Sequence, residues 1–373
     1  MESDQPTDNL NQDIIAKDTE PSIAPQEPKN NEAIHEVLFY GNEKEYFRIW
    51  IVNTVLSILT LGIYSAWAKV RNNKYIYQNL SIDGHRFNYH ATPIEILRGR
   101  LIAVVFLALI VALAFALPTK FLLPMAIIPI LLSPFIFNSS LRFNLKMTSY
   151  RNLRFYFKGS YGETLWYYTI APILTIFTLY IALPVALRSQ AKYSNDNKTF
   201  GSTKFESNPQ TSVYYKAFGW SALAGIGITI FSTVVALLFF VDLSNPQAAA
   251  SPMATVFNLF IYGLYFSIVV SIWQAIIRNH TFSVTEIPEI VKMYSAVEIP
   301  SLIRLRLENL GMIVVSLGLL IPFTKIRTIR FFAEATRIGI KPNLEKVVAN
   351  QQDQQSSVGD ALSDSLDMDI SLV

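Results

Sequence analysis

Cysteine is absent from the 373-residue sequence, and charged side chains make up only 16% of it. Without cysteine, disulfide bonds and thiolate metal sites are excluded. The signatures of nucleotide binding and of common hydrolases, GxxxxGK[ST], GxGxxG, HExxH and GxSxG, are absent as well. We therefore expect that this protein is not an enzyme and that it binds no cofactor and no metal.

The few charges are unevenly distributed along the chain. Residues 1–36 carry nine acids and two lysines, and residues 347–373 carry five Asp and no Lys or Arg. The stretch 37–346 holds 29 basic and 14 acidic residues. This pattern predicts disordered acidic tails at 1–36 and 347–373 around a basic membrane domain at 37–346. The first 30 residues hold no apolar segment, so we expect membrane insertion to begin at an internal one.

Apolar residues make up 51% of the chain and lie in long runs, which indicates a membrane protein. One stretch, 46–90, recurs along the sequence. A shift of 256 positions aligns Leu61 with Leu317, and a shift of 118 positions aligns Leu61 with Leu179. These matches predict internal tandem repeats, of which the last is incomplete. The repeats cover about 38–155, 156–284 and 294–346.

The apolar segments number seven, and the basic loops between them conflict with seven crossings of a membrane. Lys and Arg accumulate in cytoplasmic loops, but seven alternating crossings place the basic loop 188–216 outside and the loop 242–253, which has no Lys or Arg, inside. The conflict disappears if the repeated segments 46–68, 165–187 and 310–324 each enter and leave on the same side. Both interpretations stay open at this point.

Between the apolar segments the sequence predicts short β-strands. Asp83-Gly84 provides the left-handed backbone that a tight hairpin turn requires. The neighbouring His85 and His90 match no metal-ligand spacing, so we interpret Asp83 and these histidines as polar residues of the hairpin. The predicted fold class is an all-α polytopic membrane protein with internal tandem repeats. Short strands on its cytoplasmic side are expected around Phe39, Phe87, Phe155, Phe205 and Phe282.

Basic residues mixed with aromatic ones follow several apolar segments. Such blocks suit an anionic headgroup surface, although ordinary topology determinants explain the same residues. Because the blocks directly follow membrane segments, we expect no nucleic-acid partner. The candidate ligands of lipid headgroups are Lys69, Arg71, Lys74, Lys325, Arg327 and Arg330.

Two asparagines occupy equivalent repeat positions inside apolar segments, Asn53 and Asn309. Each side chain is expected either to bond a neighbouring helix, where the apolar segment is interrupted, or to contact a substrate at a repeat interface. They are the candidate intramembrane polar residues.

The runs LTLGIYSAWAKVRNNKY, IDGHRFNYHATP and FYGNEKEYF resemble the bacterial YjgN family of inner-membrane proteins, a family of unknown function. The resemblance covers roughly 37–346. It implies a multi-pass protein of the bacterial inner membrane, and it brings no catalytic residues.

Two classes of function follow. The first is a transporter or channel-like protein that works at the repeat interfaces. The alternative is a membrane-organising or lipid-interacting protein that binds anionic headgroups on the cytoplasmic side. In both, the lipid bilayer is the expected partner, and the sequence predicts no oligomeric state.

Overall fold

Short strands alternate with pairs of helices in the computed structural model, which describes residues 32–118, 122–239 and 252–350. Each strand has between two and seven residues. The strands are β1 (Ala33–Phe39), β2 (Leu80–Ile82), β3 (His85–Tyr89), β4 (Thr148–Tyr150), β5 (Leu153–Phe157), β6 (Lys198–Phe200), β7 (Thr203–Lys204), β8 (Glu206–Ser207), β9 (Thr285–Ile287), β10 (Val291–Ser295) and β11 (Thr336–Ile340).

The helices fall into a long and a short group. Between α5 and α6 the helix continues through a π-helical stretch, Leu165–Ile170. The helices are α1 (Glu43–Leu59), α2 (Ser65–Gln78), α3 (Pro93–Ala116), α4 (Leu122–Lys146), α5 (Tyr161–Thr164), α6 (Ala171–Phe177), α7 (Leu183–Asp196), α8 (Thr211–Phe239), α9 (Pro252–Ser283), α10 (Ile299–Val315), α11 (Ile321–Glu334) and α12 (343–350).

All eleven strands of the described residues form one antiparallel sheet in the order β7-β6-β5-β4-β3-β2-β1-β11-β10-β9-β8. The pairing of β1 with β11 joins the two ends of the chain, with Ala33 opposite Ile340. The two outermost strands of this order, β7 and β8, are separated in sequence by Phe205 alone. The sheet therefore curls until it nearly closes into a barrel.

The predicted fold class, an all-α membrane protein, is wrong, because the structure contains this eleven-stranded sheet. Strands of two to seven residues are too short to produce a clear alternation of apolar and polar residues. Several of their pairings also join distant parts of the chain, and sequence patterns do not reveal such pairings. Of the five aromatic positions expected in strands, Phe39, Phe87 and Phe155 lie in strands, Phe205 lies between β7 and β8, and Phe282 lies in α9.

Every helical pair leaves the sheet from the same edge. Except for β7 and β8, which Phe205 joins, successive strands are antiparallel neighbours, and their connections are either a tight turn or a group of helices. Since antiparallel strands reverse direction at each connection, all the tight turns lie at one edge and the helical pairs at the other. The tight turns are at 83–84, 151–152, 201–202 and 288–290.

The interior of the curled sheet is filled with apolar side chains. Tyr150, Phe200 and Ile287 come from three different strands and belong to one hydrophobic cluster, which also contains Leu344 of α12. Burial raises the pKa of Tyr150 to about 12, so its hydroxyl stays protonated and donates to the carbonyl oxygen of Ile82 over 2.9 Å. Helix α12 thus lies against the inside of the sheet, although the sequence places the start of an acidic tail at 347.

Three short helical hairpins project from the sheet edge. They are hairpin A (43–78), hairpin B (161–196) and hairpin C (299–334), and they contain the three repeated apolar segments. In each one, the backbone N–H just before the hairpin donates to the carbonyl oxygen just after it, over 2.8–2.9 Å. Each hairpin therefore leaves the sheet and returns to the same place. The bonded pairs are Tyr40 and Asn79, Lys158 and Asn197, and Ala296 and Ala335.

Two long helical pairs, α3–α4 and α8–α9, project from the same edge. Among the described residues, three helices are long and apolar enough to cross a membrane by length and composition: Pro93–Leu113, Thr211–Phe239 and Thr255–Ser283. Few of their residues are buried. The tails at 1–31 and 351–373 lie outside the described residues, and β1 begins at Ala33, four positions before the predicted boundary.

Candidate functional site: the tips and bases of the short hairpins

The tip of each short hairpin is apolar and almost fully exposed. Leu61 is 95% exposed in hairpin A, Leu179 is 84% exposed in hairpin B, and Leu317 is 93% exposed in hairpin C. Exposed apolar patches of this kind mark sites of contact with a membrane or a protein. The flanking exposed residues are apolar or aromatic as well: Ile58, Leu59, Ile63, Phe177, Tyr180, Ile181, Val314, Val315 and Leu319.

The three tips share one backbone turn. Leu61, Leu179 and Leu317 all have φ between 49° and 50°, and the residue after each has a positive φ as well. The residue before each leucine carries a hydroxyl that accepts a backbone N–H four positions further on. These bonds are Thr60 Oγ1 from Tyr64, Thr178 Oγ1 from Ala182 and Ser316 Oγ from Leu320, at 2.9–3.2 Å.

These hydroxyl bonds matter because the turn interrupts the helical ladder and frees N–H groups. In an apolar medium a free backbone group costs several kcal/mol, so it needs a partner within the protein. In hairpin A the N–H of Gly62 also donates to the carbonyl oxygen of Ser57 over 2.7 Å, and hairpin C repeats this bond from Gly318 to Ile313 over 2.8 Å. The tips thus satisfy these backbone groups within the protein.

Two contacts relate the tips to the long helices. The guanidinium of Arg100 donates to the hydroxyl of Ser65, the first residue of α2. Arg100 is followed by Leu101, where the exposed apolar surface of α3 begins. In hairpin B, the hydroxyl of Tyr215 near the start of α8 donates to the carbonyl oxygen of Ile181 over 3.1 Å. Tips A and B therefore lie beside the start of the apolar surface of the long helices.

Hairpin A contains a buried asparagine with one unsatisfied atom. Asn53 is 2% exposed, and its Nδ2 donates to Asn72 Oδ1 over 3.0 Å. Its Oδ1 has no hydrogen-bond partner among the described residues. A cavity of about 300 Å³ adjoins this side chain, lined on α1 by Trp50, Thr54, Ser57 and Ile58 and on α2 by Ala68 and Asn72.

Hairpin C repeats the asparagine bond at the equivalent positions. Asn309 Nδ2 donates to Thr328 Oγ1 over 3.1 Å, across the same 19-residue separation as in hairpin A. The hydroxyl hydrogen of Thr328 is used in a bond to the carbonyl oxygen of Thr324, so Thr328 Oγ1 accepts and the orientation of the Asn309 amide is fixed. Asn309 Oδ1 likewise has no partner among the described residues. Each asparagine thus ties two helices together and leaves one acceptor unused.

In hairpin B a different pair bridges the helices. Gln190 Nε2 donates to the carbonyl oxygen of Tyr167 over 2.8 Å, and Tyr167 lies in the π-helical stretch. A π-helical stretch releases a carbonyl from the regular ladder, which makes that oxygen available to a side chain. In hairpin B the two helices are therefore joined by a hydrogen bond that involves no asparagine.

The basic candidates of hairpin A are exposed. All three lie on α2 and have exposed side chains: Lys69, Arg71 and Lys74. Within the part of the chain that the structure describes, no carboxylate forms an ion pair with them. Lys69 follows the first residue of α2 by four positions, which is about 6 Å of helix rise. A cationic face thus begins one turn below the apolar tip.

The basic candidates of hairpin C contact groups within the protein. Lys325 Nζ donates to the hydroxyl of Tyr46 over 2.9 Å. Arg330 pairs with Glu43 and also donates to the carbonyl oxygen of Gly41 over 2.9 Å. The Arg330 guanidinium, hydrogen-bonded to the Glu43 carboxylate, lowers the pKa of that carboxyl. These contacts hold hairpin C against hairpin A.

The third basic candidate of hairpin C, Arg327, pairs with Glu308 of α10 in the same hairpin. All six basic candidates of the sequence therefore lie on α2 or α11, and the three on α11 contact groups within the protein. Whether any of them binds lipid stays a prediction.

The polar residues of the first tight turn serve the sheet. Asp83 and Gly84, with φ of 50° and 71°, form the two-residue turn between β2 and β3. Asp83 also contacts His35 of β1 over 3.2 Å. His90 Nε2 lies 2.7 Å from Ser149 Oγ, away from this turn. Within the described ranges, no group of three or more His, Cys, Asp or Glu is placed to hold a metal ion.

A larger cleft of about 1220 Å³ lies around β8 and β9. Charges of both signs line it, including Lys192, Asp196, Glu286 and Lys292. Lys192 and Asp196 form an ion pair of 2.9 Å. No buried side-chain atom without a partner is found there among the described residues, so this cleft carries less information about a ligand than the cavity at Asn53.

Most of the residues that line the cavity beside Asn53 were not predicted from the sequence. Trp50, Thr54 and Ser57 lie at helical spacing from Asn53, so one polar face of α1 was visible in the sequence. Asn72, by contrast, reaches Asn53 only because the turn at 60–64 folds α2 back onto α1.

Comparisons with known proteins agree with the resemblance seen in the sequence. A family model described as bacterial protein of unknown function (DUF898) matches residues 34–365. The chain is similar to proteins named inner membrane protein YjgN, at 36% identity over 157 residues in Salmonella typhimurium and 33% over 141 residues in Escherichia coli K12. These matches cover 40% and 38% of this chain, and 38% and 35% of the relatives. No solved structure matches.

Proposed function

We propose, from the premise that this chain belongs to the DUF898 family of bacterial proteins of unknown function, that it is an inner-membrane protein that binds anionic phospholipid headgroups. The sites are the bases of its membrane-dipping hairpins, on the cytoplasmic side. The exposed cations Lys69, Arg71 and Lys74 of hairpin A are the principal ligands in this proposal. It includes no catalytic step, and the absence of enzymatic activity stays a prediction.

The location in the inner membrane is supported by the names of the relatives and by the long apolar helices. In this proposal α3–α4 and α8–α9 are two spanning pairs, and the sheet lies on the cytoplasmic side. The excess of basic residues in 37–346 favours that side for the parts of the chain outside the bilayer. The resulting protein is multi-pass, and its whole sheet lies on one side of the membrane.

The observation that carries the lipid-binding function is the combination of an exposed apolar tip with exposed cations one turn below it. An amphipathic element at a bilayer surface buries its apolar part about 5–10 Å deep. The helix rise of about 6 Å between Ser65 and Lys69 sets the cations of α2 at the headgroups when the tip is immersed. Cations at that depth attract anionic lipid.

The three hairpins are, in this proposal, copies of one ancestral unit. Three equivalent backbone bonds at the bases and three equivalent turns at the tips support the repeat. Hairpin A has kept its base cations exposed, whereas hairpin C uses two of its three equivalents, Lys325 and Arg330, to hold hairpin A.

Transport or channel activity is the second candidate. The cavity beside Asn53, with an unsatisfied acceptor, favours it. The apolar filling of the sheet speaks against a path through the sheet, because Tyr150, Phe200 and Leu344 occupy its interior. Lipid binding is therefore the function that the geometry supports best.

The test is a titration of the purified full-length protein with phosphatidylglycerol and with phosphatidylcholine, followed by native mass spectrometry. The double variant Lys69→Gln/Arg71→Gln is compared with Lys204→Gln/Lys346→Gln, which removes two exposed cations elsewhere. Each surface cation contributes about 1 kcal/mol toward anionic lipid, so the first variant should bind phosphatidylglycerol roughly thirtyfold more weakly. Equal binding of both lipids by the wild type would refute the proposal.

A further inference from the structure

The cavity of hairpin A has three properties that together define a ligand. It adjoins the side chain of Asn53, whose amide oxygen Oδ1 is buried and without a partner among the described residues. Its lining carries no charged side chain, and it includes the ring of Trp50. It lies between α1 and α2, beside the exposed apolar residue Ile58.

A buried acceptor without a partner lowers stability, because it has lost its hydrogen bonds to water and gained none in return. Ser57, which lines the same cavity, spends its hydroxyl hydrogen on the backbone carbonyl of Asn53 over 2.6 Å. The Nδ2 group of Asn53 is spent on Asn72. The acceptor Oδ1 thus takes no hydrogen bond from these groups, and it can take one from a molecule that enters the cavity and reaches it.

We propose that the cavity binds the primary ammonium group of a phosphatidylethanolamine-type phospholipid, with an N–H of the ammonium donating to Asn53 Oδ1. The inference rests on the proposed function, because it takes the lipid of that proposal and names a second headgroup class for the same hairpin. At about 30 Å³ per water molecule, a cavity of this size holds roughly ten waters, which is ample for the three heavy atoms of an ethanolamine group.

An ammonium group fits this lining better than an anion does. The unsatisfied atom is an acceptor, and an anionic oxygen brought against it would be repelled. The face of Trp50 attracts a cation, and tryptophan is the best of the aromatic rings for this interaction. No carboxylate is needed to balance the ammonium, because a zwitterionic lipid carries its own phosphate.

The phosphate of the same lipid has cations within reach. Ala68 and Asn72 line the cavity from α2, and Lys69 and Arg71 are their immediate neighbours in sequence, about 100° around the helix. Both cations are exposed. The ammonium and the phosphate of one headgroup thus meet an acceptor and a cationic face on the same hairpin.

Hairpin C provides a matched control inside the same chain. Asn309 is buried, bridges two helices and has an unsatisfied Oδ1, like Asn53. Neither of the two cavities described above is lined by Asn309. An effect of the asparagine on helix packing should appear in both hairpins, whereas an effect on lipid should appear only in hairpin A.

The experiment is a native mass spectrometry titration of the full-length protein with phosphatidylethanolamine, phosphatidylcholine and phosphatidylglycerol. Phosphatidylcholine is the key comparison, because its trimethylated ammonium has no N–H to donate. The wild type should prefer phosphatidylethanolamine over phosphatidylcholine by about tenfold, which is the worth of one hydrogen bond to a charged group. Asn53→Leu should abolish that preference, and Asn309→Leu should keep it.

A second variant guards against a folding defect in Asn53→Leu. Ala68→Val leaves the amide in place and reduces the cavity from the α2 side, so it should abolish the same preference. Melting temperatures of all variants identify any that is misfolded. A wild type with no preference for phosphatidylethanolamine over phosphatidylcholine would overturn the inference and show that the cavity holds water only.

The outcomes separate this inference from the proposed function. If phosphatidylglycerol still binds and depends on Lys69 and Arg71, while Asn53→Leu changes nothing, the cavity inference alone is wrong. If the wild type distinguishes none of the three lipids, both are wrong. If Asn53→Leu abolishes the phosphatidylethanolamine preference, while Lys69→Gln/Arg71→Gln leaves phosphatidylglycerol binding unchanged, the cavity is supported and headgroup binding by these cations is refuted.

Discussion

Leu61 and Leu317 lie 256 positions apart and adopt the same left-handed backbone conformation, with φ of 49° and 50°. Both side chains are almost fully exposed at the tips of their hairpins. A left-handed conformation costs a residue with a Cβ atom about 1–2 kcal/mol. Two leucines tolerate this cost because the following Gly62 and Gly318 complete the turn, each with φ of 89°.

The turn predicts that alanine at Gly62 or Gly318 destabilises the hairpin. A Cβ atom at Gly62 would meet no other atom within 4 Å, so the expected loss, about 1 kcal/mol, comes from the backbone conformation alone. Gly311 lies in helix α10, also with open space around it, and alanine there should be neutral or slightly stabilising. Thermal unfolding of the three variants in detergent checks this, and equal melting temperatures would contradict it.

These turns also show what sequence reasoning recovers. The repeat offset alone aligned Leu61 with Leu317 and Asn53 with Asn309, because an identical local geometry uses identical residues. The Asp83-Gly84 pair pointed to a tight turn for the same local reason. Each of these inferences depends on a few neighbouring residues, and the structure has a sharp turn or a buried amide at every one of them.

The sheet was not predicted from the sequence, because its strand pairings are not local. β1 pairs with β11 across some 300 positions, and neither strand has a partner nearby in sequence that would predict it. Val348 belongs to the sheet core although its neighbourhood reads as the start of an acidic tail. Phe282 was expected in a strand, and it is helical because α9 continues past the apolar run. Aromatic content alone does not separate a strand from a helix end.

The contact between hairpins A and C predicts a dependence on pH. The Arg330 guanidinium lowers the pKa of Glu43, so the pair stabilises the fold above the usual pKa of a glutamate. That stability is lost as the pH falls through the lowered pKa of the folded state. Both groups are partly exposed, so the loss in Glu43→Gln should be about 1 kcal/mol at neutral pH.

The control for this pair is Glu36→Gln. Glu36 and Arg337 form a longer pair of 3.7 Å, and both side chains are more than half exposed. Removal of this carboxylate should change the melting temperature little. Melting curves between pH 3 and 7 distinguish the two variants. A Glu43→Gln protein that loses stability with acid as steeply as the wild type would show that the pair is not responsible.

The packing of helix α12 predicts that the loss of its buried leucine destabilises the sheet. Leu344 is buried among Tyr150, Leu153 and Ile287. Substitution of a buried leucine by alanine costs about 2–5 kcal/mol through lost burial and the cavity left behind. Leu344→Ala should therefore lower the melting temperature strongly, whereas Leu317→Ala, at an exposed tip, should leave it unchanged in detergent. Similar melting temperatures for both would mean that α12 does not pack inside the sheet.

The single edge from which all the helical pairs leave predicts the topology of the protein. Asn42 directly precedes hairpin A, Asn73 lies in the second half of α2, and Asn195 lies near the end of hairpin B, so single cysteines at these positions should face the same side. The natural absence of cysteine makes each substitution the only reactive thiol. In intact cells an impermeant thiol reagent should label none of them, because the sheet side is cytoplasmic in the proposal.

A cysteine at Met253 provides the opposite case. Met253 is exposed at the start of α9, a helix of 32 residues that rises about 48 Å from one end to the other. That length exceeds the hydrocarbon thickness of a bilayer, so this end should be reached from outside. Permeabilised cells, in which all four positions react, control for buried thiols. If Asn42 and Asn73 reported opposite sides, hairpin A would cross the membrane, and its apolar tip and cationic base would not lie at one surface.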